Sequence, residues 1–259
     1  MTAPSLTEDL LIHQAPYRVR FDEAGPDGLL RTSGFLRYAQ DVAWQHSTVL
    51  GFDRAWYAER GLTWVVRAAE LEVVAPVPLG ADLVSRTAIV GLRRVWARRR
   101  GEFQLTDGTL AAWVHTDWVM IDARGALIRI PEIFAGEFRI PEATGQVGRV
   151  ALSPAPPGAA TGRRSFAVRP QELDPMAHVN NAVYLDWLEE AVLAVGGDVA
   201  RADLAAIPRR YRLEYAVAAD AGSSVADEAW RGHGGWSYRL TAPDGPDLFR
   251  ASVTTGGSE

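Results

Sequence analysis

The feature that most constrains the fold is a Pro-, Gly- and Ala-rich segment, residues 153–162, that divides the chain into two halves. Such a composition cannot form a packed element and suits an exposed linker. On each side of it we predict the same order of elements: a short strand, a loop, one long helix and a run of strands. A repeat of more than about 100 residues is too long for a solenoid and indicates a duplicated domain.

The two long helices are predicted from apolar residues at helical spacing. In the first half we predict a strand near residues 17–21 and a helix over 33–50, which Gly51 ends. In the second half we predict a strand near residues 165–168 and a helix over 181–195, which Gly196 and Gly197 end.

Similar strand sequences support the duplication. Residues 71–80 align with 213–222, with a Leu-Glu pair and a closing Gly in register. Residues 103–106 and 238–241 both precede turn sequences, so each begins a predicted hairpin. Chance similarity between β-rich sequences is the alternative interpretation.

Composition excludes several classes of protein. The 259 residues carry a net charge of -5, and every basic residue is arginine, whereas a nucleic-acid-binding protein is usually basic. Without cysteine there is no thiolate nucleophile or thiolate metal site, and the five histidines lack ligand spacing. Residues 1–14 resemble neither a signal peptide nor a membrane span. We therefore expect a cytoplasmic protein with no cofactor, no metal, no nucleic acid and no membrane partner.

The segment before the second helix carries the chemistry. Asp174 lies four residues before His178, and Asn180 and Asn181 follow where the helix is predicted to begin. A carboxylate is ionised at neutral pH and can act as a general base or a nucleophile, and a helix N-terminus offers unpaired N–H groups to an oxyanion. This spacing is typical of a hydrolytic site.

Each candidate residue also has a structural interpretation. Asp174 can form an Asx turn, and His178 can be a structural hydrogen-bonding group. Asn180 or Asn181 is expected to cap the helix. Two further candidates, Tyr184 and Trp187, have the spacing of core residues as well as of a pocket lining.

From about residue 17 to residue 254 the chain resembles the double-hotdog acyl-acyl-carrier-protein thioesterases of plant and bacterial type, which are related to 4-hydroxybenzoyl-CoA thioesterase-like hydrolases. The first half resembles that family through residues 36–46, 71–80 and 117–122. The second half resembles its catalytic domain through six residues: Asp174, His178, Asn180, Asn181, Tyr184 and Trp187.

The resemblance implies an α+β protein of two tandem hotdog domains, each a long central helix wrapped by an antiparallel sheet. Residues 1–150 would bind the acyl chain, 151–163 would form the linker, and 164–259 would be catalytic. A tunnel between the two helices could then hold the apolar chain.

The activity implied by the resemblance is hydrolysis of fatty acyl thioesters, carried by acyl carrier protein or coenzyme A, to free acid and thiol. Asp174 and His178 would be catalytic, and Asn180, Asn181, Tyr184 and Trp187 would contact substrate. Arginines at 93–94, 98–100, 163–164 and 209–210 could meet an acidic carrier protein or a phosphate, and solvated strand faces are the alternative interpretation. Fused halves allow a monomer, and a homodimer is the alternative.

Three positions depart from the family pattern. Met176 stands where members usually have Asn, and Ala218 and Ala219 stand where they tend to have Glu and Cys. Met cannot donate the hydrogen bond of an amide, and Ala supplies no base. A catalytically silent acyl-binding protein is therefore the leading alternative, and a hotdog dehydratase is a third. The retained Asp174 and His178 favour hydrolysis.

Overall fold

The structure is a computed structural model that describes residues 6, 10–138, 148–243 and 245–256. Most of the N-terminal segment on which the signal-peptide prediction depended lies outside these residues. The chain forms two compact units. Unit 1 comprises Met1–Ala69 and Ala75–Val147, and unit 2 comprises Glu70–Val74 and Gly148–Glu259.

In unit 1, one long helix packs against an antiparallel sheet in which the strand order is β1-β3-β4-β5-β2. Residues 70–73 at the end of β2 are grouped with unit 2. The elements of this part of the chain are β1 (His13–Arg18), α1 (Thr32–Val49), α2 (Arg54–Arg60), β2 (Leu62–Val73), β3 (Asp82–Arg93), β4 (Trp96–Leu105), β5 (Leu110–Asp122) and α3 (Ile133–Glu137).

Unit 2 repeats this plan with the strand order β6-β8-β9-β10-β7, again antiparallel with one long helix packed against it. Its elements are β6 (Thr161–Ala167), α4 (Asn181–Ala205), β7 (Arg209–Tyr215), β8 (Ser224–Gly232), β9 (Gly235–Thr241) and β10 (Asp247–Thr255). The chain is thus mixed α/β, as predicted, with antiparallel strands and few helices. Each of the two predicted hairpins is confirmed, as β4–β5 and β9–β10.

α1 begins and ends within one residue of the prediction because its apolar face is continuous. Phe35, Leu36, Val42 and Ala43 are buried on that face and pack toward the sheet of unit 1. Burying each large aliphatic or aromatic side chain stabilises the fold by about 1.5–3 kcal/mol.

α4 runs beyond its predicted end at residue 195. Gly197 has φ +51° and ψ -123°, so the helix kinks there and resumes through residue 205. A Cβ at Gly196 would lie 2.3 Å from the ring of Trp236, which leaves room only for glycine. The glycine pair therefore interrupts the helix where its end was predicted, and the second helical run through Ala205 was not predicted.

The short strands begin earlier than predicted. β1 covers His13–Arg18 and β6 covers Thr161–Ala167, so β6 begins inside the stretch predicted as a linker. After each strand the chain turns into a 3-10 helix, Phe21–Glu23 in unit 1 and Pro170–Glu172 in unit 2. Each strand therefore ends earlier than β-propensity alone predicts, because the 3-10 helix follows it.

The arginine run at 98–100 is not a docking surface. Arg99 and Arg100 are buried, and Arg98 holds Asp117 through two hydrogen bonds of 2.7 and 2.9 Å. Arg100 pairs with Glu102 at 2.8 Å. Desolvated guanidinium groups need such partners, so the carboxylates explain two of these three arginines.

Among the described residues, no helix has both the length and the apolar composition that crossing a membrane requires. The cytoplasmic location stays a prediction.

Candidate active site

The loop between β6 and α4 is anchored by the buried carboxylate of Glu172. That carboxylate accepts hydrogen bonds from the backbone N–H of Arg169 (2.6 Å), its guanidinium (2.7 Å) and the indole N–H of Trp187 (3.1 Å). Burial raises the pKa of Glu172, but the hydrogen bonds from Arg169 and Trp187 outweigh it and hold the pKa below its ordinary value of 4.5. The loop is thereby fixed to the second turn of α4.

Asp174 closes the loop and keeps one oxygen unbonded. Its Oδ1 accepts hydrogen bonds from the backbone N–H groups of Met176 (2.8 Å) and His178 (3.3 Å), and its own N–H donates to the carbonyl of His178 (2.8 Å). This is the predicted Asx turn. Its Oδ2 has no hydrogen-bond partner in the described part of the chain. The half-buried carboxylate therefore serves the turn with one oxygen and presents the other.

His178 meets Asp174 through its backbone rather than through its imidazole. The hydrogen bonds between the two residues use the N–H and C=O of His178, and its side chain is exposed. The sequence spacing thus brings the two residues together, but the imidazole is not hydrogen-bonded to the carboxylate. The ring is free to meet a ligand.

The two asparagines organise the start of α4. Asn180 is the N-cap, and its Oδ1 accepts a hydrogen bond from the N–H of Ala182 at 2.9 Å, which confirms the capping prediction. Its carbonyl accepts from the N–H of Val183 at 2.9 Å. The carbonyl of Asn181 accepts from the hydroxyl of Tyr215 at 3.0 Å. The N–H of Asn181 has no partner among the residues described and is therefore available as a donor.

Tyr184 and Trp187 are both buried on the first two turns of α4. The indole N–H of Trp187 is occupied by Glu172, and its ring contacts Phe166 and Tyr184 with centroid distances of 5.1 and 5.2 Å. These contacts favour the core interpretation of Trp187. The Tyr184 hydroxyl accepts a hydrogen bond from the N–H of Ala219 at 3.0 Å.

Asp220, an acidic residue that the sequence analysis did not select, directly follows the residue whose N–H binds the Tyr184 hydroxyl. Burial raises the pKa of Tyr184, and the negative charges of Asp174 and Asp220 raise it further. Asp220 follows directly after Ala218 and Ala219. Asp220 could have been selected from the sequence, because it lies beside the two alanines at the positions where the resembled family tends to have Glu and Cys.

Unit 1 contains the same loop with different chemistry. Glu23 corresponds to Glu172: its carboxylate accepts from the backbone N–H of Arg20 at 2.9 Å and from the hydroxyl of Tyr38 at 2.6 Å. Tyr38 and Trp187 each occupy the seventh position of their helix. The Arg-x-x-Glu sequence at 20–23 and at 169–172 was therefore a signal of the anchor that the sequence analysis missed.

The backbone hydrogen bonds of the two loops match one by one. The N–H of Gly25 donates to the carbonyl of Leu29 at 2.8 Å, as that of Asp174 does to His178. The N–H of Gly28 donates to Gly25 at 3.0 Å, as that of Ala177 does to Asp174 at 2.9 Å. Gly25 and Leu29 thus stand where unit 2 has its carboxylate and imidazole.

No group of three or more His, Cys, Asp or Glu side chains in the described ranges could hold a metal ion. Of the arginines considered for docking, Arg164 pairs with Asp227 and with Glu190 (2.9 Å), and Arg210 pairs with Glu72 (3.0 Å).

The sequence matches two models of one family. Residues 11–135 match the acyl-ACP thioesterase N-terminal domain, and residues 157–228 match the acyl-ACP thioesterase C-terminal domain. The chain belongs to the acyl-ACP thioesterase family. Like other members of this family of thioester hydrolases, it has the hotdog fold and is a hydrolase. A search of curated protein sequences found no match.

Solved structures share the fold of this acyl-ACP thioesterase family member. A proposed oleoyl thioesterase from Lactobacillus plantarum has a TM-score of 0.82 at 17% identity, covering 96% of this chain and 98% of its own. A 12:0-ACP thioesterase from Umbellularia californica has a TM-score of 0.77 at 19% identity, covering 97% and 98%. An acyl-ACP thioesterase from Bacteroides thetaiotaomicron has a TM-score of 0.77 at 13% identity, covering 94% and 97%.

Proposed function

We propose that this protein hydrolyses fatty acyl thioesters of acyl carrier protein, with Asp174 as the residue that activates water or attacks the carbonyl. The observation that carries the proposal is the unbonded Oδ2 of Asp174, held beside the N-terminus of α4 by the hydrogen bonds to Oδ1. Acyl-CoA is the alternative substrate, because it presents the same thioester on the same pantetheine arm.

The reaction needs a base or nucleophile and a donor for the oxyanion. As a base, Asp174 takes a proton from water while the water oxygen bonds to the carbonyl carbon, and the C–S bond then breaks to release the thiolate. The thiolate recovers a proton to give the free thiol. As a nucleophile, Asp174 would form an anhydride that water then opens. Either path passes through a tetrahedral oxyanion.

The N–H of Asn181 is the proposed donor to that oxyanion. The N–H groups of Ala182 and Val183 are used by Asn180, so Asn181 is the position at the helix terminus where an N–H remains available. The positive end of the α4 dipole adds to its effect. Removing one such donor costs other enzymes about 100- to 1000-fold in rate.

The remaining predicted residues take secondary roles. The exposed imidazole of His178 contacts the thioester carbonyl or protonates the leaving thiolate. Tyr184 is proposed to contact substrate because it lies in the first turn of α4, next to the capped terminus. Trp187 acts indirectly, by holding Glu172 and with it the loop. Met176 offers no amide, so the site works with fewer polar groups than the family pattern.

We further propose that the chain consists of two hotdog domains, with catalysis in residues 164–259 and acyl-chain binding in residues 1–150. The equal strand orders and the matched loops of the two units support duplication. Gly25 and Leu29 supply no acid or base, which supports a single catalytic loop. An aromatic-rich cluster in unit 1 supports an apolar binding role for that unit; it includes Phe52, Tyr57, Met120, Phe134 and Phe138.

Of the arginines considered for docking, we propose that only the exposed ones meet the carrier protein. Arg93, Arg94 and Arg163 are exposed, and guanidinium groups pair well with acidic surfaces and phosphates. Both a monomer and a homodimer remain predictions.

The experiment measures release of free thiol from acyl-carrier-protein and acyl-CoA thioesters of graded chain length. Wild type and Asp174→Ala are compared on every substrate. We expect turnover that depends on Asp174 and is faster on the carrier-protein thioester. Equal rates for the two proteins on every substrate would remove Asp174 from the mechanism.

The silent acyl-binding alternative rests on Met176, Ala218 and Ala219. It predicts tight binding of acyl thioesters with no thiol release from wild type. The same panel therefore separates the two functions.

A further inference from the structure

Arg99 on β4 is a buried cation without a counter-ion. The residue is 8% exposed, and its Nη1 donates to Nδ1 of His46 at 3.0 Å and to Oγ1 of Thr87 at 3.4 Å. Its neighbours Arg98 and Arg100 each pair with a carboxylate, whereas no carboxylate in the described part of the chain pairs with Arg99. A buried charge is normally compensated, so this one calls for a ligand.

The surrounding groups do not cancel the charge. A guanidinium can only donate, so Nδ1 of His46 is the acceptor and the imidazole is neutral. Burial, together with the charges of Arg99 and His13, lowers the pKa of His46 to about 3. Burial also lowers the pKa of Arg99, to about 10, so the guanidinium is still charged at neutral pH. The other titratable group that faces it, Tyr57, is a neutral phenol at that pH because burial raises its pKa.

The unbonded edge of the guanidinium has a defined shape. Nε and Nη2 of Arg99 make no hydrogen bond with any residue that the structure describes. The same edge of Arg98 holds the two oxygens of Asp117 at 2.7 and 2.9 Å. The fork of an arginine matches a planar carboxylate in this bidentate manner. The edge of Arg99 therefore offers the pair of donors that one planar carboxylate accepts.

The surroundings of this edge are apolar and aromatic. The guanidinium carbon lies 5.8 Å from the ring centroid of Phe138, which contacts His46 edge-on at 5.1 Å and stacks on Phe52 at 5.7 Å. All of these residues belong to unit 1. A ligand whose anionic group meets Arg99 would place its adjoining atoms against aromatic rings.

We propose that Arg99 is a binding site for a carboxylate at the end of an apolar chain. Two sources share this chemistry: a free fatty acid, and an acyl thioester whose chain ends in a second carboxyl group. Arg99 belongs to unit 1, whereas Asp174 belongs to unit 2. The binding test of Arg99 does not depend on turnover.

Isothermal titration of the full-length protein with octanoate and with octan-1-ol tests the charge requirement. We expect saturable octanoate binding and alcohol binding at least about tenfold weaker, because a charged hydrogen-bonded pair is lost. Arg99→Met should weaken octanoate binding by at least about tenfold as well. The control Arg54→Met removes an exposed arginine of α2 in the same unit and should leave the affinity unchanged.

Thermal unfolding separates a ligand site from a structural one. Arg99→Met replaces an uncompensated buried charge by an apolar side chain, so the melting temperature should stay or rise. If the Met variant does not fold, Arg99→Lys retains the charge without the fork and should bind octanoate more weakly than wild type.

The two sources are separated by titrating the Asp174→Ala protein with octanoyl-CoA and its ω-carboxy analogue. Octanoate binding that needs Arg99 assigns the site to free acids. An Arg99-dependent preference of at least about tenfold for the ω-carboxy thioester assigns it to the chain end. Equal binding of acid and alcohol together with no such preference, or binding unchanged in Arg99→Met, would overturn the proposal.

Discussion

The loops before the two long helices have the same backbone and different side chains. Both are tied by a glutamate to the seventh residue of the following helix, and both close through matched hydrogen bonds. Unit 2 places Asp174 and His178 in this frame where unit 1 places Gly25 and Leu29. The comparison teaches that the frame needs neither the carboxylate nor the imidazole, since it forms without them.

The turn in each loop is closed by a different carboxylate. In unit 1, Oδ1 of Asp27 accepts from the N–H of Leu29 at 3.0 Å, and Asp27 stands where unit 2 has Met176. In unit 2, Asp174 takes over this bond to His178 and keeps Oδ2 for another partner. The turn can form without a carboxylate at this position, so a catalytic role explains Asp174 better than the turn alone.

The largest expected difference between the loops is in turnover. Asp174→Ala should lower thiol release by about 100-fold or more, because general-base catalysis typically contributes that much. Asp27→Ala removes the corresponding turn bond in unit 1 and should leave the rate within about twofold, since the loss of one exposed hydrogen bond costs only about 1 kcal/mol. Steady-state kinetics on one acyl thioester checks both variants. A large loss in Asp27→Ala would show that the two loops are not functionally distinct.

The glutamate anchors should differ in activity but agree in stability. Glu172→Gln and Glu23→Gln should each lose about 1–3 kcal/mol of unfolding free energy at pH 7, because each carboxylate accepts charged hydrogen bonds. Only Glu172→Gln should also slow thiol release, since it alone holds the catalytic loop. Urea unfolding and kinetics measure the two effects.

The same anchors predict a pH dependence. The folded pKa of each glutamate lies below its ordinary value of 4.5. Their contribution to stability is therefore complete above about pH 4.5 and is lost as the pH falls through the folded pKa. Urea unfolding between pH 3 and pH 7 should show a smaller loss in either Gln variant than in wild type. An equal loss would contradict the role of these carboxylates.

His178→Ala should lower thiol release by at least about tenfold, and a loss of about 100-fold or more would indicate a general acid. The matched change, Leu29→Ala, removes an apolar side chain from the same position in unit 1 and should leave the rate unchanged. Both variants are compared with wild type on the same thioester. A rate equal to wild type in His178→Ala would restrict its role to the backbone bonds that it makes with Asp174.

The smallest expected difference is conformational. Ala177 has φ +61° and Gly28, its counterpart, has φ +75°. A left-handed backbone costs a residue with a Cβ about 1–2 kcal/mol. Ala177→Gly should therefore stabilise the protein by up to about 1 kcal/mol and Gly28→Ala should destabilise it by about as much. Chemical denaturation gives both values, and the same sign for both changes would contradict the match.

Sequence reasoning predicted the helices and hairpins well, because these depend on periodic apolar residues and local turn signals. It did not predict the helical run that follows Gly196 and Gly197, although α4 is interrupted at these glycines as expected. It also placed Arg98–Arg100 on the surface, because a run of charges does not reveal the carboxylates on neighbouring strands that partner Arg98 and Arg100.

Within the candidate site, the motif brought the expected residues together, and the asparagine cap followed from known preferences. The sequence could not distinguish a side-chain pair from the backbone contacts that join Asp174 and His178. Asp220 was missed because the bond from the neighbouring Ala219 N–H to the Tyr184 hydroxyl depends on the fold of the segment after β7.

Thiol release by Asp174→Asn is the most direct test of the central claim that this carboxylate acts in chemistry. The amide oxygen of asparagine can still accept the hydrogen bonds from Met176 and His178, so the turn is retained while the charge is lost. The account predicts a melting temperature near that of wild type and a rate lower by about 100-fold or more. A wild-type rate with an intact turn would mean that Asp174 is only a turn residue.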